Sequence, residues 1–108
     1  MHRRRDEDLP GVRVVHALLL RHLLRRLLRA SAPPIIVFTD TQRHVETLRK
    51  KVQSWGFRPA WLHGGRRQDA REEALAGFKA GRADILVATD VAGRGLDVEG
   101  VTHVINYT

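Results

Sequence analysis

Ile85-Leu86-Val87-Ala88-Thr89-Asp90-Val91-Ala92-Gly93-Arg94-Gly95-Leu96-Asp97 carries more information than the rest of the chain together. Its first residues, Ile85 to Ala88, form an unbroken apolar run. Such a run predicts a strand buried on both faces. The segment Thr89 to Asp97 then packs a hydroxyl, two carboxylates, an arginine and two glycines into one loop. Glycines let backbone approach a ligand, and threonine and arginine supply donors for oxyanions. A plain turn needs neither Thr89 nor Arg94 nor Asp97.

Outward from this strand the chain alternates. Ile35-Ile36-Val37-Phe38 reads as a strand, and Thr41 to Trp55 as a helix with Val45, Leu48 and Val52 on one face and Gly56 as its stop. Pro59 to Leu62 reads as a short strand. Gln68 to Lys79 reads as a helix with Ala74, Leu75 and Phe78 inward and Gly81 as its stop. His103 to Tyr107 alternates and reads as a further strand. Strands separated by helices imply right-handed crossovers and a parallel sheet covered on both faces, an α/β fold.

The N-terminal part is read differently. Residues 1–11 are polar and mixed in charge and are expected to be disordered; residues 12–108 are expected to form one partial domain. Val12 to Arg29 reads as one helix, with Leu20, Leu23, Leu24, Leu27 and Leu28 at helical spacing and Arg21, Arg25 and Arg29 opposite. Its leucine face is expected to lie on the sheet. A membrane-surface helix and a direct nucleic-acid contact are the alternatives.

Composition bounds the function. A chain of 108 residues makes one domain or part of one. It has no cysteine, which excludes disulfides and cysteine metal sites. The six histidines lack metal-ligand spacing. No run of eighteen apolar residues predicts a membrane span. The Arg- and Leu-rich start partly matches a transit peptide, but Asp6-Glu7-Asp8 argues against one. Net charge is +7, and eight arginines against three acids in residues 1–30 carry most of the excess. That balance favours anionic partners, nucleic acid above all.

In a parallel sheet the loops at the C-terminal ends of the strands share one edge, where ligands bind. Three loops should meet there: Thr39-Asp40-Thr41, His63-Gly64-Gly65-Arg66-Arg67, and Thr89 to Asp97. The first is half explained by Asp40 or Thr41 as an N-cap. The second sets paired glycines and arginines before a helix N-terminus, which suits a phosphate. Gln68 and Arg71 face one side of the next helix's first turn. A cation there opposes the helix dipole, so Arg71 calls for a ligand or an acidic neighbour. Trp55 and Trp61 are expected in core or rim packing rather than base stacking. No Gly-x-x-x-x-Gly-Lys-Ser/Thr occurs, so nothing here cradles a triphosphate alone.

These motifs, in this order, resemble the C-terminal RecA-like domain of the DEAD-box RNA helicases over about Ile35 to Tyr107. Val37-Phe38-Thr39-Asp40-Thr41 is similar to motif IV. His63-Gly64-Gly65 with Gln68-x-x-Arg71 is similar to the glycine doublet and motif IVa, and Ile85 to Asp97 to motif V. The Val-Ala-Gly-Arg-Gly string, His-Gly-Gly and Pro33-Pro34 most resemble the splicing-associated members. The resemblance implies a RecA-like three-layer sandwich with a central, mainly parallel sheet, incomplete at the C-terminus.

It also implies roles. Thr41, Gly64, Gly65, Arg71 and Thr89 resemble positions that hold the RNA sugar-phosphate backbone without reading bases, and Gln68 resembles one that orders the loop beside Arg71. Gly95 and Asp97 resemble positions that approach the ATP ribose when the two RecA-like domains close. Arg94 resembles the arginine that couples the two sites. Asp40 stands where Asn is commoner, and Gly93 where Ala or Ser is frequent. The resemblance ends before motif VI and its arginine finger, and these residues include no phosphate loop and no Asp-Glu-Ala-Asp box. ATP and Mg2+ are therefore expected in the intact enzyme and not in this chain alone. One sheet face is expected to be poorly covered, with an exposed strand edge. The implied partners are RNA and the N-terminal RecA-like domain of the same helicase, with no membrane. The implied site is intracellular, nuclear or cytoplasmic, with the nucleus favoured. A non-catalytic RecA-like RNA- or protein-binding module is the alternative, and a flavodoxin-like nucleotide binder a remoter one.

Overall fold

Strand β4 (Ile85–Thr89) lies inside a five-stranded, all-parallel sheet of order β1-β5-β2-β4-β3. The computed structural model describes residues 13–17, 21–96 and 100–107. Its other strands are β1 (Arg13–Ala17), β2 (Ile35–Thr39), β3 (Pro59–Leu62) and β5 (His103–Tyr107). Helices α1 (Arg21–Ala30), α2 (Gln42–Ser54) and α3 (Gln68–Lys79) separate them, and a single turn, α4 (Asp90–Gly93), comes directly after β4. The segment 1–11, expected to be disordered, lies outside the described residues.

The expectation of one helix over Val12 to Arg29 is overturned: among the described residues of that stretch, Arg13–Ala17 is strand β1 and Arg21–Ala30 is helix α1. The leucine stripe begins only at Leu20, which lies outside the described residues, and the segment before it holds the β-branched pair Val14-Val15. Those residues pair in parallel with Val104 and Ile105 of β5. A long-range partner thus decides what local periodicity could not.

The two central strands are buried at all five positions, as their unbroken apolar runs require. Alternate side chains feed separate cores. On one face Ile35, Val37, Ile85, Val87 and Ile105 meet Val45, Leu48 and Val52 of α2 and Leu24 and Leu28 of α1. The α1 helix therefore lays its leucine stripe on the sheet and turns Arg25, Arg26 and Arg29 outward. On the other face Ile36, Phe38, Leu62, Leu86, Ala88 and Val104 meet Phe78 of α3. The expectation of a poorly covered face is not met among the described residues: Val104 is buried, and Leu96 and Val101 pack against its cluster. β1 pairs along β5, so the edge strands of the described sheet are β1 and β3. No helix among the described residues is long and apolar enough to cross a membrane.

At the opposite sheet edge from the glycine loops, Arg58 and Asp84 tie the start of β3 to that of β4. The Arg58 backbone N–H and Nε both donate to Oδ2 of Asp84 at 3.2 Å, and Nη2 donates to Oδ1 at 2.7 Å. These bonds hold the Asp84 carboxyl below its ordinary range, against the opposing effect of partial burial. A depressed folded-state pKa contributes stability above the unfolded value, and that stability is lost as pH falls through the folded value. Urea midpoints measured down the acid range should therefore fall less steeply for Asp84→Asn than for the parent. Parallel curves for the two proteins would refute the assignment.

Candidate nucleic-acid interface

The C-terminal ends of β2 and β4 lie side by side, with Thr39 opposite Thr89. Each strand ends in a threonine-capped helix. Thr41 is the N-cap of α2, and its Oγ1 accepts from the His44 N–H at 3.1 Å. Thr89 is the N-cap of α4, and its Oγ1 accepts from the Ala92 N–H at 3.3 Å. The local N-cap reading of the first loop therefore holds for Thr41. Thr89, superfluous to a plain turn, has a capping role as well. The stretch after β4 is not an open loop from its first residue: it closes one helical turn before Arg94.

Between these caps lies a cleft of about 560 Å³. Thr41, Gly64, Arg71 and Thr89 line it together with Asp40, Gln42, Asp90, Val91 and Ala92. Four residues from three loops and one helix, spread over Thr41 to Thr89 in sequence, thus share one concavity. A second depression, of about 590 Å³, runs along α2 past Arg43, Lys50 and Lys51. It is a solvated helix face that contains none of the sequence-derived residues.

Arg71 is half-buried in the first turn of α3, and among the described residues no carboxylate forms an ion pair with it. Asp40 and Asp90 line the same cleft without pairing with Arg71. Asp69 pairs with Arg67 at 3.3 Å instead, both side chains well exposed. Gln68 donates from its amide to Glu72 at 3.2 Å, one turn along its own helix.

The carboxylate of Asp40 would repel an anion in this cleft. Oδ1 accepts from Nδ1 of His44 at 2.5 Å and from the hydroxyl of Thr39 at 3.3 Å. The His44 bond, first among the causes, holds the Asp40 carboxyl below its ordinary value. The group stays ionised, but its charge is engaged along α2.

The glycine doublet is set by its neighbours. His63 is buried, and its Nδ1 accepts the Gly65 N–H at 3.1 Å. A backbone N–H can only donate, so the ring proton sits on Nε2. Nε2 donates to Oε2 of Glu46 at 2.8 Å. Glu46 is held below its ordinary value by that bond and, secondarily, by Arg49, whose Nη2 lies 3.0 Å from Oε1. A Cβ at position 65 would stand 2.7 Å from Oε1 of Gln42 and 3.2 Å from the His63 ring. The Gln42 amide is the far end of a flexible side chain and can swing aside, so the tighter limit on a side chain here is the His63 ring, which would have to give by a few tenths of an ångström.

Trp61 is sandwiched by cations, with the Arg49 guanidinium 4.0 Å and that of Arg66 4.3 Å from the ring centroid. Nη1 of Arg66 also donates to the Trp61 carbonyl at 2.6 Å. Trp55 packs against the core with Arg25 5.9 Å from its ring. Both tryptophans are rim packing, as expected. Of the paired loop arginines, Arg66 is therefore engaged by the fold. Neither Glu46 nor Arg49 stands out in the sequence, since a carboxylate 17 residues from its histidine leaves no spacing signal.

Arg94 and Gly95 lie beyond α4, exposed and outside the cleft lining; Asp97 lies outside the described residues. The preceding Gly93 has a packing cause. A Cβ there would fall 2.3 Å from Cε1 of Phe38, a core residue. Gly93→Ala should cost about 1–3 kcal/mol by overpacking. Pairing it with Phe38→Leu should recover part of that loss in urea unfolding. Equal stability of Gly93→Ala and parent would contradict the contact. Among the described residues no group of three His, Asp or Glu could hold a metal ion.

The family model described as "Helicase conserved C-terminal domain" matches residues 8–108. The "Probable ATP-dependent RNA helicase DDX23" of Homo sapiens is 46% identical over 87 residues, 81% of this chain and 11% of its own length. The "Pre-mRNA-splicing ATP-dependent RNA helicase prp28" of Aspergillus oryzae is 48% identical over 75 residues, 69% of this chain and 9% of its own. The chain thus spans about a tenth of the length of these curated relatives. Among solved structures, the yeast DEAD-box splicing factor Prp28 superimposes with a TM-score of 0.77 at 30% identity, covering 90% of this chain and 23% of that one. The E. coli DEAD-box protein SrmB, solved bound to the regulator RraA, gives 0.71 at 26% identity over 88% and 75% of the two chains.

Proposed function

The chain belongs to the family of helicase conserved C-terminal domains, and we propose that its cleft holds the sugar-phosphate backbone of RNA for an ATP-dependent DEAD-box helicase. One observation carries this reading: Arg71 lines a cleft with Thr41, Gly64 and Thr89 and, among the described residues, forms no ion pair, although Asp40 and Asp90 line the same cleft. A half-buried guanidinium beside glycine backbone and hydroxyls suits a phosphate oxygen. Nothing in that lining is an aromatic platform for stacking a base, so binding is independent of sequence.

The ATP site is completed when the N-terminal RecA-like domain of the same helicase closes on this one. Gly95 and Asp97 then approach the ribose, and Arg94 couples the ATP and RNA sites. ATP and Mg2+ belong to that intact enzyme, and their phosphate cradle and metal ligands come from outside this chain. The relatives named for pre-mRNA splicing favour a nuclear role on spliceosomal RNA.

Fluorescence anisotropy with a single-stranded RNA tests the core of this reading. Affinity should fall steeply with salt, the logarithm of the binding constant dropping by about 0.7 per phosphate engaged for each tenfold rise. It should be similar for RNAs of different sequence. Salt-independent affinity, or strong preference for one sequence, would sink it.

A further inference from the structure

We propose that phosphate binding at the glycine doublet is linked to proton uptake by His63, so that RNA is held more tightly as pH falls. This linkage rests on the RNA-backbone reading and adds a specific coupling to it.

One donor of the doublet is already spent. Gly64 lines the cleft, but the N–H of Gly65, its neighbour, is turned into the imidazole of His63. Successive backbone N–H groups are what a phosphate oxygen takes from a glycine turn. For a phosphate to take both, Nδ1 of His63 must release the Gly65 N–H. A neutral ring would then leave Nδ1 unpaired in a side chain only 8% exposed, which is unfavourable. A proton on Nδ1 removes that penalty. The nitrogen becomes a donor facing the phosphate, and the imidazolium keeps Glu46 as its counter-ion through Nε2, 2.8 Å away.

The charged surroundings suit this exchange. Glu46 from α2 is the carboxylate against the ring, and Arg49 shares it through the other oxygen. From the loop itself, Arg66 is drawn off onto Trp61. The site is therefore one carboxylate short of neutral once His63 is charged, and the phosphate supplies the missing negative charge. Glu46 acts as a positioning residue: it holds the ring in the tautomer that accepts from Gly65 in the free protein, and balances the ring's charge in the bound one.

Mass action gives the sign. If the bound state carries one more proton than the free state, affinity rises as pH falls, by up to about tenfold per pH unit. RNA affinity would be measured by anisotropy at fixed ionic strength between about pH 5 and about pH 8, where histidine titrates. Calorimetry in two buffers of different ionisation enthalpy would count the protons taken up. Nitrogen NMR of the ring would report its tautomer before and after RNA. The expected result is proton uptake on binding, a ring that passes from Nε2–H to doubly protonated, and a pH slope flattened by His63→Gln. Glu46→Gln should shift the slope to lower pH, and His44→Gln, which alters the other histidine–carboxylate pair near the cleft, should leave it in place. The calorimetric count needs no variant, so a poorly folding His63→Gln does not weaken the test. RNA binding without proton uptake, or a slope that vanishes with His44→Gln instead, overturns the linkage and leaves the RNA reading standing. Absence of RNA binding at every pH overturns the RNA reading itself.

Discussion

Phe78→Ala should remove about 3–5 kcal/mol of folding stability, the range for truncating a buried aromatic ring. Phe78 is 1% exposed and is the one fully buried side chain that α3 contributes among the described residues. Ala74 and Leu75 only partly bury against the same cluster, so the helix hangs on this ring. Ile36, Leu62, Leu86 and Ala88 come from three strands whose backbone pairing resists collapse, so the cavity should close poorly. Small domains have only about 5–15 kcal/mol in total, and the variant should lose a large share of it. Urea unfolding followed by circular dichroism gives the number. Phe78→Leu, which leaves a smaller hole, should fall between parent and alanine variant. A shift below about 1 kcal/mol for Phe78→Ala would mean that α3 is held by something other than its apolar face.

Arg71→Ala should weaken RNA binding by about 1.5–3 kcal/mol, the range for a hydrogen bond to a charged group, or roughly 10–150-fold. Its guanidinium supports no ion pair among the described residues, so its loss should barely change stability. That makes it a cleaner probe than Thr89→Ala. Thr89 caps α4, and losing a cap costs about 0.5–2 kcal/mol of stability in its own right. The salt dependence should also become shallower by roughly one phosphate contact, about 0.7 in slope. Arg82→Ala is the control, because Arg82 is exposed after α3, near the start of β4 and away from the cleft. Equal losses in the two variants would show that overall charge, not the cleft, binds the RNA.

Much of this molecule is legible in local pattern. Unbroken apolar runs in Ile35–Phe38 and Ile85–Ala88 announce strands buried on both faces, and both are central in the sheet. Helical spacing of Val45, Leu48 and Val52 announces the buried face of α2, and Gly56, with φ of +96°, ends that region as a left-handed residue should. Once the strands are parallel, three loops have to share an edge, and Thr41, Gly64, Arg71 and Thr89 are gathered by topology alone. The Thr89 to Asp97 string carries the resemblance, and the helicase C-terminal family model matches the chain around it.

What the sequence could not decide depends on partners distant in the chain. Val14-Val15 is strand rather than helix because β5 offers these residues a ladder 90 residues later, and no local propensity outweighs such a partner. Gly93 is required by the ring of Phe38, brought against it by the pairing of β2 with β4. Arg49 and Arg66 meet on Trp61 only because α2 and the loop after β3 converge on that strand. The state of the glycine doublet rests on Glu46 holding His63 from another helix. Periodicity along the chain determines which groups are buried and which strands run together. Contact across the fold determines which donors are already spent and which remain for a ligand.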